Sequence, residues 1–310
     1  MTLTDVTEND SLDYWHVPLH NQANAEMRAL DSLIRGPGLD LFVNTVTGSD
    51  DNAGTSWDAP LLTMAAAFAL ATDNSRIMWI GNIREQVLAP LGVQGLRIIA
   101  MAGGGNRHDD GARWYAPASP TAGAPLLTLR EQGCEVHGGL FVPHTNSPAI
   151  RTRRAEDATY PDGSHAIIRG IKVVADTGTA IEDYGGCHHV LVEDCEFTGA
   201  ETALPNGINS ASTAIANPLR WTVRRNTFIT VTNAINMPFT QSVVERNKFG
   251  AGTIIVETDG GDGANFVLDN YFPDATADYD TGHGYAADAA DIWRNWVTDA
   301  ADAIVALPAA

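Results

Sequence analysis

Apolar and polar residues alternate over short stretches in the second half of the chain, and the alternation belongs to a repeated unit. Four segments share one order of residue types and close on an aromatic ring: "LVEDCEF" ending at Phe197, "TVRRNTF" at Phe228, "VVERNKF" at Phe249 and "FVLDNYF" at Phe272. Weaker copies end at Val142 and Val173, and neighbouring copies lie 21 to 31 residues apart. A constant unit at a variable spacing is typical of a solenoid whose loops differ in length.

Each unit carries a second apolar segment seven or eight residues after its first anchor. These second anchors are Ile150, Ile181, Leu204 and Ile235. Each coil is therefore predicted to contain at least two short strands joined by a turn. The alternation in the first strand buries Val192, Val223, Val244 and Val267, and it turns Glu193, Arg224, Glu245 and Leu268 outward. A helical period explains none of these stretches.

An asparagine precedes the aromatic residue by two positions in three consecutive units, and Cys195 fills that position one unit earlier. Asparagine tolerates the left-handed conformation of tight turns, and stacked amides can hydrogen-bond to one another between coils. The spacing predicts a stack of Asn226, Asn247 and Asn270 beside a core anchored by Phe197, Phe228, Phe249 and Phe272.

These units resemble coils of a right-handed parallel β-helix of the pectate lyase-like superfamily, in which stacked asparagines mark one turn. Residues 42–71, "FVNTVTGSDDNAGTSWDAPLLTMAAAFALA", resemble the segment in which a first strand and a Gly/Asp/Asn turn lead into a capping helix. The resemblance implies an all-β, single-stranded parallel β-helix over 39–272 with a capping helix near 61–71. Such a helix would cover the unpaired end of the coil stack.

The two ends of the chain differ from the repeated units. Residues 1–38 are predicted to form an extended N-terminal arm with a short helix, and 273–310 a short C-terminal helical tail that acts as a cap. The tail prediction rests on one helical stripe of apolar residues, Ile292, Trp293, Trp296 and Val297. The arm contains an apolar island that either docks onto a partner or folds back along the chain's own β-helix: Tyr14, Trp15, Val17 and Leu19.

Charge and composition narrow the range of partners. The chain of 310 residues has 38 acidic and 19 basic residues, a net charge of −19, and only two lysines, Lys172 and Lys248. Such a surface repels nucleic acid and anionic membranes, so we expect neither as a partner. The N-terminus lacks the pattern of a secretion signal, and the longest apolar run, 64–71, is too short to span a bilayer.

Candidate chemistry is sparse. "RGIK" at 169–172 precedes "GHG" at 282–284, the reverse of the order in polygalacturonase-like hydrolases, and "RTRR" at 151–154 is interpreted as a solvated loop or a contact with an acidic neighbour. The polar cluster "EDYGGCHH" at 182–189 is interpreted as a turn, in which His188 and His189 point to opposite faces and cannot share a metal.

Several carboxylates are predicted on the outer face, where neighbouring rungs about 5 Å apart would suit a retaining glycosidase, although no pair stands out. They are Glu193, Glu196, Glu245, Glu257 and Asp269. The Asp-rich stretches 48–54 and 259–263 offer oxygen ligands for calcium, but turns that bind no ion are favoured. Cys134, Cys187 and Cys195 are expected as small buried residues, and we predict no catalytic residue, metal site or cofactor.

The arm, the capped solenoid and the absence of a catalytic motif resemble phage β-helix virion proteins. That resemblance implies a non-enzymatic homotrimer that decorates a capsid and is held to the major capsid protein or another virion protein by its arm. We then expect synthesis in the host cytoplasm and residence on the virion. The alternative is a tailspike or carbohydrate-active enzyme, a lyase or glycoside hydrolase, acting on an acidic surface polysaccharide. A third possibility is a module that binds a host-surface glycan without turnover.

Overall fold

The computed structural model describes residues 38–101, 111–153, 163–210, 218–237, 240–250, 254–256 and 266–272, and the short strands at 292–293, 296–298 and 304–306. Within these residues the chain forms one helix and 26 β-strands, gathered into three long parallel sheets that we name A, B and C. The arm residues Tyr14, Trp15, Val17 and Leu19 lie outside the described residues. The proposed boundaries at 38 and 272 stay predictions.

Sheet A collects the first strand of each coil: β1 (Asp40–Asn44), the start of β2 (Arg76–Arg84), β4 (Arg97–Ala100), β7 (Glu135–His137), β10 (Ile167–Arg169), β13 (Leu191–Glu193), β16 (Thr222–Arg224), β19 (Val243–Glu245), β22 (Phe266–Leu268) and β24 (Ile292–Trp293). These strands pair in parallel and in register. Val192, for example, lies between Ile168 and Val223.

Sheet B takes the second strand of each coil: the end of β2, β5 (Ala112–Tyr115), β8 (Leu140–Val142), β11 (Lys172–Val174), β14 (Glu196–Thr198), β17 (Thr227–Ile229), β20 (Lys248–Phe249), β23 (Tyr271–Phe272) and β25 (Trp296–Thr298), with β26 (Ile304–Ala306) antiparallel at its edge. Sheet C takes the third: β3 (Val87–Leu88), β6 (Leu127–Leu129), β9 (Ile150–Arg153), β12 (Thr179–Tyr184), β15 (Leu204–Ser210), β18 (Val231–Asn236) and β21 (Ile254–Val256). The predicted right-handed parallel β-helix is confirmed.

The core consists of like residues stacked from coil to coil. Phe197, Phe228 and Phe249 are fully buried, with ring centroids 5.0 and 5.1 Å apart between successive coils. Phe272 occupies the next coil of sheet B, where its backbone pairs with Val297. The rings of Phe197, Phe228 and Phe249 therefore pack on one another, and this stack buries apolar area at each of its rungs.

The capping helix, α1 (Met64–Leu70), is present as predicted and begins at Thr63, whose side chain accepts a hydrogen bond from Ala66 N. Asp50 accepts from the amides of residues 62 and 63, and Glu85 accepts from those of 64 and 65. Carboxylates at a helix start satisfy amides that have no partner inside the helix. No helix among the described residues is long and apolar enough to cross a membrane.

The three asparagines form a continuous buried ladder. Asn226 Nδ2 donates to Asn247 Oδ1 at 3.1 Å, and Asn247 Nδ2 donates to Asn270 Oδ1 at 3.0 Å. Each Oδ1 also accepts from a backbone amide one coil earlier, with Cys195 N donating to Asn226 Oδ1 at 2.9 Å. The amides thus satisfy polar backbone groups that the tight turn buries.

The left-handed residue of this turn is not the asparagine, as the sequence suggested, but the residue before it. Positive φ angles of 54° to 56° occur at Asp194, Arg225, Arg246 and Asp269. The backbone of each asparagine therefore avoids the left-handed conformation, and its side chain is buried.

The prediction of a helical C-terminal tail is wrong for the described residues, which form strands. In β24 and β25, Ile292 and Trp293 pair with Val267 and Leu268, while Trp296 pairs with Tyr271. The segment "DIWRNWV" repeats the residue order of "FVLDNYF", so it is a further coil unit. Its aromatic and β-branched residues favour strands, and the exposed edge of the preceding coil offers backbone partners.

We predict that Asn247→Ala lowers the free energy of unfolding by about 3 kcal/mol, because it leaves Val223 O and Asn226 N without their partners. Thermal and urea unfolding of the full chain measure the effect. Asn82→Ala is the control, since Asn82 is exposed on β2. Equal losses for the two variants would contradict a stabilising ladder.

Candidate functional site

The outer face of sheet C carries polar residues aligned across four successive coils. We call this set the sheet C row, and its members share one register position: Arg151 on β9, Glu182 on β12, Asn209 on β15 and Asn236 on β18. Neighbouring rungs of a sheet lie about 4.8 Å apart. The row is therefore a line of cationic, anionic and amide groups parallel to the helix axis.

Arg151 and Glu182 form a close ion pair within the row. Arg151 Nε donates to Glu182 Oε2, and Arg151 Nη2 donates to Gly123 O at 3.2 Å. Both side chains are mostly buried. Burial raises the pKa of the Glu182 carboxyl, while the charge and hydrogen bond of Arg151 oppose that rise.

Tyr184 stands beside this ion pair with 38% of its surface exposed. The guanidinium carbon of Arg151 lies 4.9 Å from the centroid of its ring, and that of Arg153 lies 5.8 Å away. Both distances fit cation–π contact. "RTRR" was interpreted as a loop or contact segment, but its described residues, 151–153, belong to strand β9.

Two amide pairs extend the polar surface into the next coils. Asn236 Nδ2 donates to Asn209 Oδ1 at 2.9 Å, and Asn233 Nδ2 donates to Asn206 Oδ1 at 3.1 Å. All four side chains are partly exposed. The sequence reasoning missed them, although "NGIN" at 206–209 and "NAIN" at 233–236 share one spacing that marks them.

The cluster "EDYGGCHH" was interpreted as a turn, but its first three residues are the end of strand β12, and the turn follows them. Asp183 is buried beneath the row and accepts from Thr152 Oγ1 at 3.1 Å, Gly186 N at 2.9 Å and Cys187 N at 3.1 Å. Burial raises the pKa of Asp183, against these hydrogen bonds. Asp183 thus fixes the turn that follows Tyr184.

The two histidines of the cluster serve different contacts. The ring of His189 stacks on that of His165 in the preceding coil, with centroids 4.8 Å apart, whereas His188 N donates to Ser164 Oγ at 3.0 Å. Partial burial, the neighbouring His165 and Arg220 lower the pKa of His189. Among the described residues no three His, Cys, Asp or Glu side chains form a metal-binding group.

The two Asp-rich stretches have different outcomes. In 48–54, both carboxylate oxygens of Asp50 accept hydrogen bonds at the start of α1, where Thr63 Oγ1 donates to Oδ2 at 2.9 Å. The stretch 259–263 lies outside the described residues.

A second cluster surrounds Glu193, where sheets A and B meet. Arg169, Arg224 and Arg225 all donate to its carboxylate, the Arg224 Nε contact being 2.7 Å. Arg225 also binds Asp194 at 2.7 Å. The carboxylate of Glu193 was predicted to face outward, and its side chain is only 1% exposed because the register places an arginine on each adjacent rung.

The other predicted carboxylates are less enclosed. Glu196 pairs with Lys172 at 3.0 Å, and Glu245 is half-buried on the strand next to Arg224. Glu257 lies outside the described residues, and Asp269 is the left-handed turn residue of its coil. The predicted carboxylates are thus not brought together as one site on the described surface.

We predict a pH-dependent role for Glu193 in stability. Burial acts to raise its pKa, but hydrogen bonds from Arg224 and Arg169 outweigh that effect and hold the pKa below the usual value. Its stabilising contribution is therefore complete above the ordinary carboxyl pKa of about 4.3 and is lost as pH falls through the lower folded-state value.

Glu193→Gln should cost about 3 kcal/mol at neutral pH, because three arginines lose their buried partner. The difference from the unsubstituted protein should shrink in acid, where Glu193 itself becomes protonated. Urea unfolding at neutral and at acid pH measures this difference, with Glu245→Gln, two rungs away on sheet A, as the control. A loss that is the same at both pH values would rule out the ionised carboxylate as its source.

Comparison with known proteins gives the fold but no family. No family model matches the chain, and no curated protein matches its sequence. The fold is similar to XylC, solved in complex with xylose, at a TM-score of 0.54 and 11% identity over 76% of this chain. The match spans 66% of the XylC chain, just under two thirds of its length.

Two further solved structures match more weakly. The PL6 family alginate lyase AlyGC gives a TM-score of 0.36 at 13% identity, covering 75% of this chain and 38% of that chain. The GH136 lacto-N-biosidase from Eubacterium ramulus gives 0.20 at 10% identity, covering 81% and 69%. These scores are too low for comparing sites. The match to XylC agrees with the parallel β-helix, and the function must be inferred from the chain's own residues.

Proposed function

We propose that this protein is a carbohydrate-active β-helix protein that binds polysaccharide along the outer face of sheet C. The observation that carries the proposal is the alignment of Arg151, Glu182, Asn209 and Asn236 on successive rungs. A linear polymer lying parallel to the helix axis would meet one polar group of the row at each rung. Among the functions drawn from the sequence, a carbohydrate-active protein was the alternative to the capsid decoration protein.

The chemistry of the row suits sugar hydroxyls. Asn209 and Asn236 each present an amide with two donors and an acceptor, and only part of that capacity is used in the bond between them. Tyr184 adds an exposed aromatic edge, and Arg153 next to it supplies a positive charge on an otherwise acidic protein. A polysaccharide with carboxylate groups fits this combination.

Glu182 is the residue we assign to acid–base chemistry. It is the carboxylate of the row within the described residues, and burial shifts its pKa upward, the direction that a general acid requires. Arg151 holds the carboxylate in place through its Nε. XylC, a protein of similar fold, was solved with xylose, so a β-helix of this kind can hold a sugar.

The capsid decoration protein is the second candidate, and the feature behind it is the apolar island of the arm, Tyr14, Trp15, Val17 and Leu19. The two candidates converge in a tailspike, which both attaches to a virion and recognises polysaccharide.

The first test is incubation of the full chain with neutral and uronate-containing bacterial exopolysaccharides. Calorimetry measures binding, and assays for reducing ends and unsaturated uronate measure cleavage. The double variant Asn209→Ala/Asn236→Ala should bind about thirtyfold more weakly, since it loses two hydrogen bonds to the sugar that contribute about 1 kcal/mol each. Glu182→Gln should retain binding and lose product formation.

Asn82→Ala, an exposed amide elsewhere on the solenoid, is the matched control and should bind as the unsubstituted protein does. Failure to bind any glycan of the panel, or binding that the double variant leaves unchanged, would refute the proposal. Binding without products from the unsubstituted protein would leave a sugar-binding module and remove the role assigned to Glu182.

The second candidate predicts attachment to phage heads through the arm. The double variant Trp15→Ala/Leu19→Ala should abolish cosedimentation with heads, because it removes two of the four apolar side chains available for docking, including the tryptophan. A chain that cosediments equally well with and without these substitutions would contradict attachment by the arm.

A further inference from the structure

We infer that copies of this chain associate through the outer face of sheets A and B, in the area around the Glu193 cluster. The inference concerns a different face from the proposed polysaccharide site and does not depend on it. It rests on the register of charges, on the distribution of basic residues and on apolar rows at both margins.

Charges of opposite sign alternate along the outer row of sheet A. The register places Arg169 next to Glu193, Glu193 next to Arg224, and Arg224 next to Glu245. On sheet B, Lys172 and Glu196 occupy adjacent rungs and form an ion pair at 3.0 Å. Glu193 is itself enclosed, but Arg169, Arg224 and Glu245 reach the surface, so the row presents both signs of charge to a second copy of the same face.

Basic residues are concentrated on this face. Both lysines of the chain lie here with four arginines, six of the 19 basic residues. They are Arg169, Lys172, Arg224, Arg225, Arg246 and Lys248. The same rungs carry five carboxylates, those of Glu193, Asp194, Glu196, Glu245 and Asp269, so the face is close to neutral. Two copies with a net charge of −19 each would therefore meet little net repulsion across this face.

Mostly apolar side chains lie along both margins of the charged rows, and each margin also contains one threonine, Thr222 on sheet A and Thr198 on sheet B. On sheet A these are the partly exposed Ile167, Leu191 and Val243. On sheet B they are Val142, Val174 and Ile229, the last with 43% of its surface exposed. Apolar side chains beside complementary charges are what an interface between proteins buries.

The alternation selects a second copy over other occupants. A partner of one sign, such as a nucleic acid or an acidic polymer, would meet a carboxylate as often as a guanidinium and gain little. A purely apolar partner would leave Arg225, which is 39% exposed, and Asp194, which is 45% exposed, without solvent. A copy of the same face offers exposed charges of both signs and mostly apolar margins.

Sedimentation velocity of the full chain over a concentration series tests the inference. The unsubstituted protein should sediment as an oligomer, and Ile229→Asp should weaken its association constant by about tenfold or more. The matched control is Leu88→Asp on sheet C, which is 50% exposed and should associate as the unsubstituted protein does. Unchanged thermal unfolding of both variants separates lost association from misfolding.

A second variant exchanges the charges of one ion pair, Lys172→Glu together with Glu196→Lys. The exchange keeps the pair within the chain but reverses the pattern presented to a neighbour, so association should weaken while the fold persists. An unsubstituted protein that stays monomeric throughout the series would overturn the inference. So would association that neither Ile229→Asp nor the charge exchange affects, whereas weakening by either variant supports it.

Discussion

The structure depends on one constraint, the in-register parallel pairing that stacks each residue on its equivalent in the next coil. For apolar residues the constraint is favourable at every rung, as in the fully buried stack of Phe197, Phe228 and Phe249. For amides it is favourable as well, because each asparagine can donate to the next and accept from the previous one. For charges it is unfavourable, since identical ions would face each other about 5 Å apart. Residue types therefore differ from coil to coil mainly in the outer rows, where unlike charges and amides lie next to one another.

Two buried polar arrangements follow from this difference. The asparagine ladder is neutral and can be extended coil by coil, and it ends where Cys195 replaces the amide. Burial raises the pKa of Cys195 to about 12, so the thiol stays protonated and donates to Glu193 O at 3.1 Å. Glu193 cannot be repeated in this way. It is accommodated because its register neighbours on both sides are arginines.

The sequence predicted the parts of the fold in which the stacked positions repeat at a clear spacing. Its predictions were wrong where the equivalent position shifts within a longer strand and where one pattern fits both a helix and a strand. The first anchors Phe197, Phe228 and Phe249 were placed on equivalent positions because ring and spacing agree. In the second half of the coil, the spacing predicts Leu204 as the equivalent of Ile181 and Ile235, and this is wrong. Ile208 pairs with both of them, because the longer strand β15 shifts the equivalent position by four residues. In the tail, apolar residues at 292, 293, 296 and 297 satisfy a helical stripe and a coil unit alike, and only pairing with the preceding coil distinguishes the two.

The candidate site was hidden for a related reason. Glu182 and Arg151 are 31 residues apart, so their pairing is visible only once the coils are in register, whereas Asn209 and Asn236 are marked in the sequence by the spacing that 206–209 and 233–236 share. In the stacked coils, the outer face of sheet C and the outer faces of sheets A and B carry different kinds of residues. Sheet C places unlike polar groups along the axis with an exposed aromatic ring, which suits a ligand that supplies many hydroxyls. Sheets A and B place alternating charges between apolar rows, which suits a surface like themselves. Because each face is built from separate positions of the same three-strand unit, one face can change its residues without altering the core that both share.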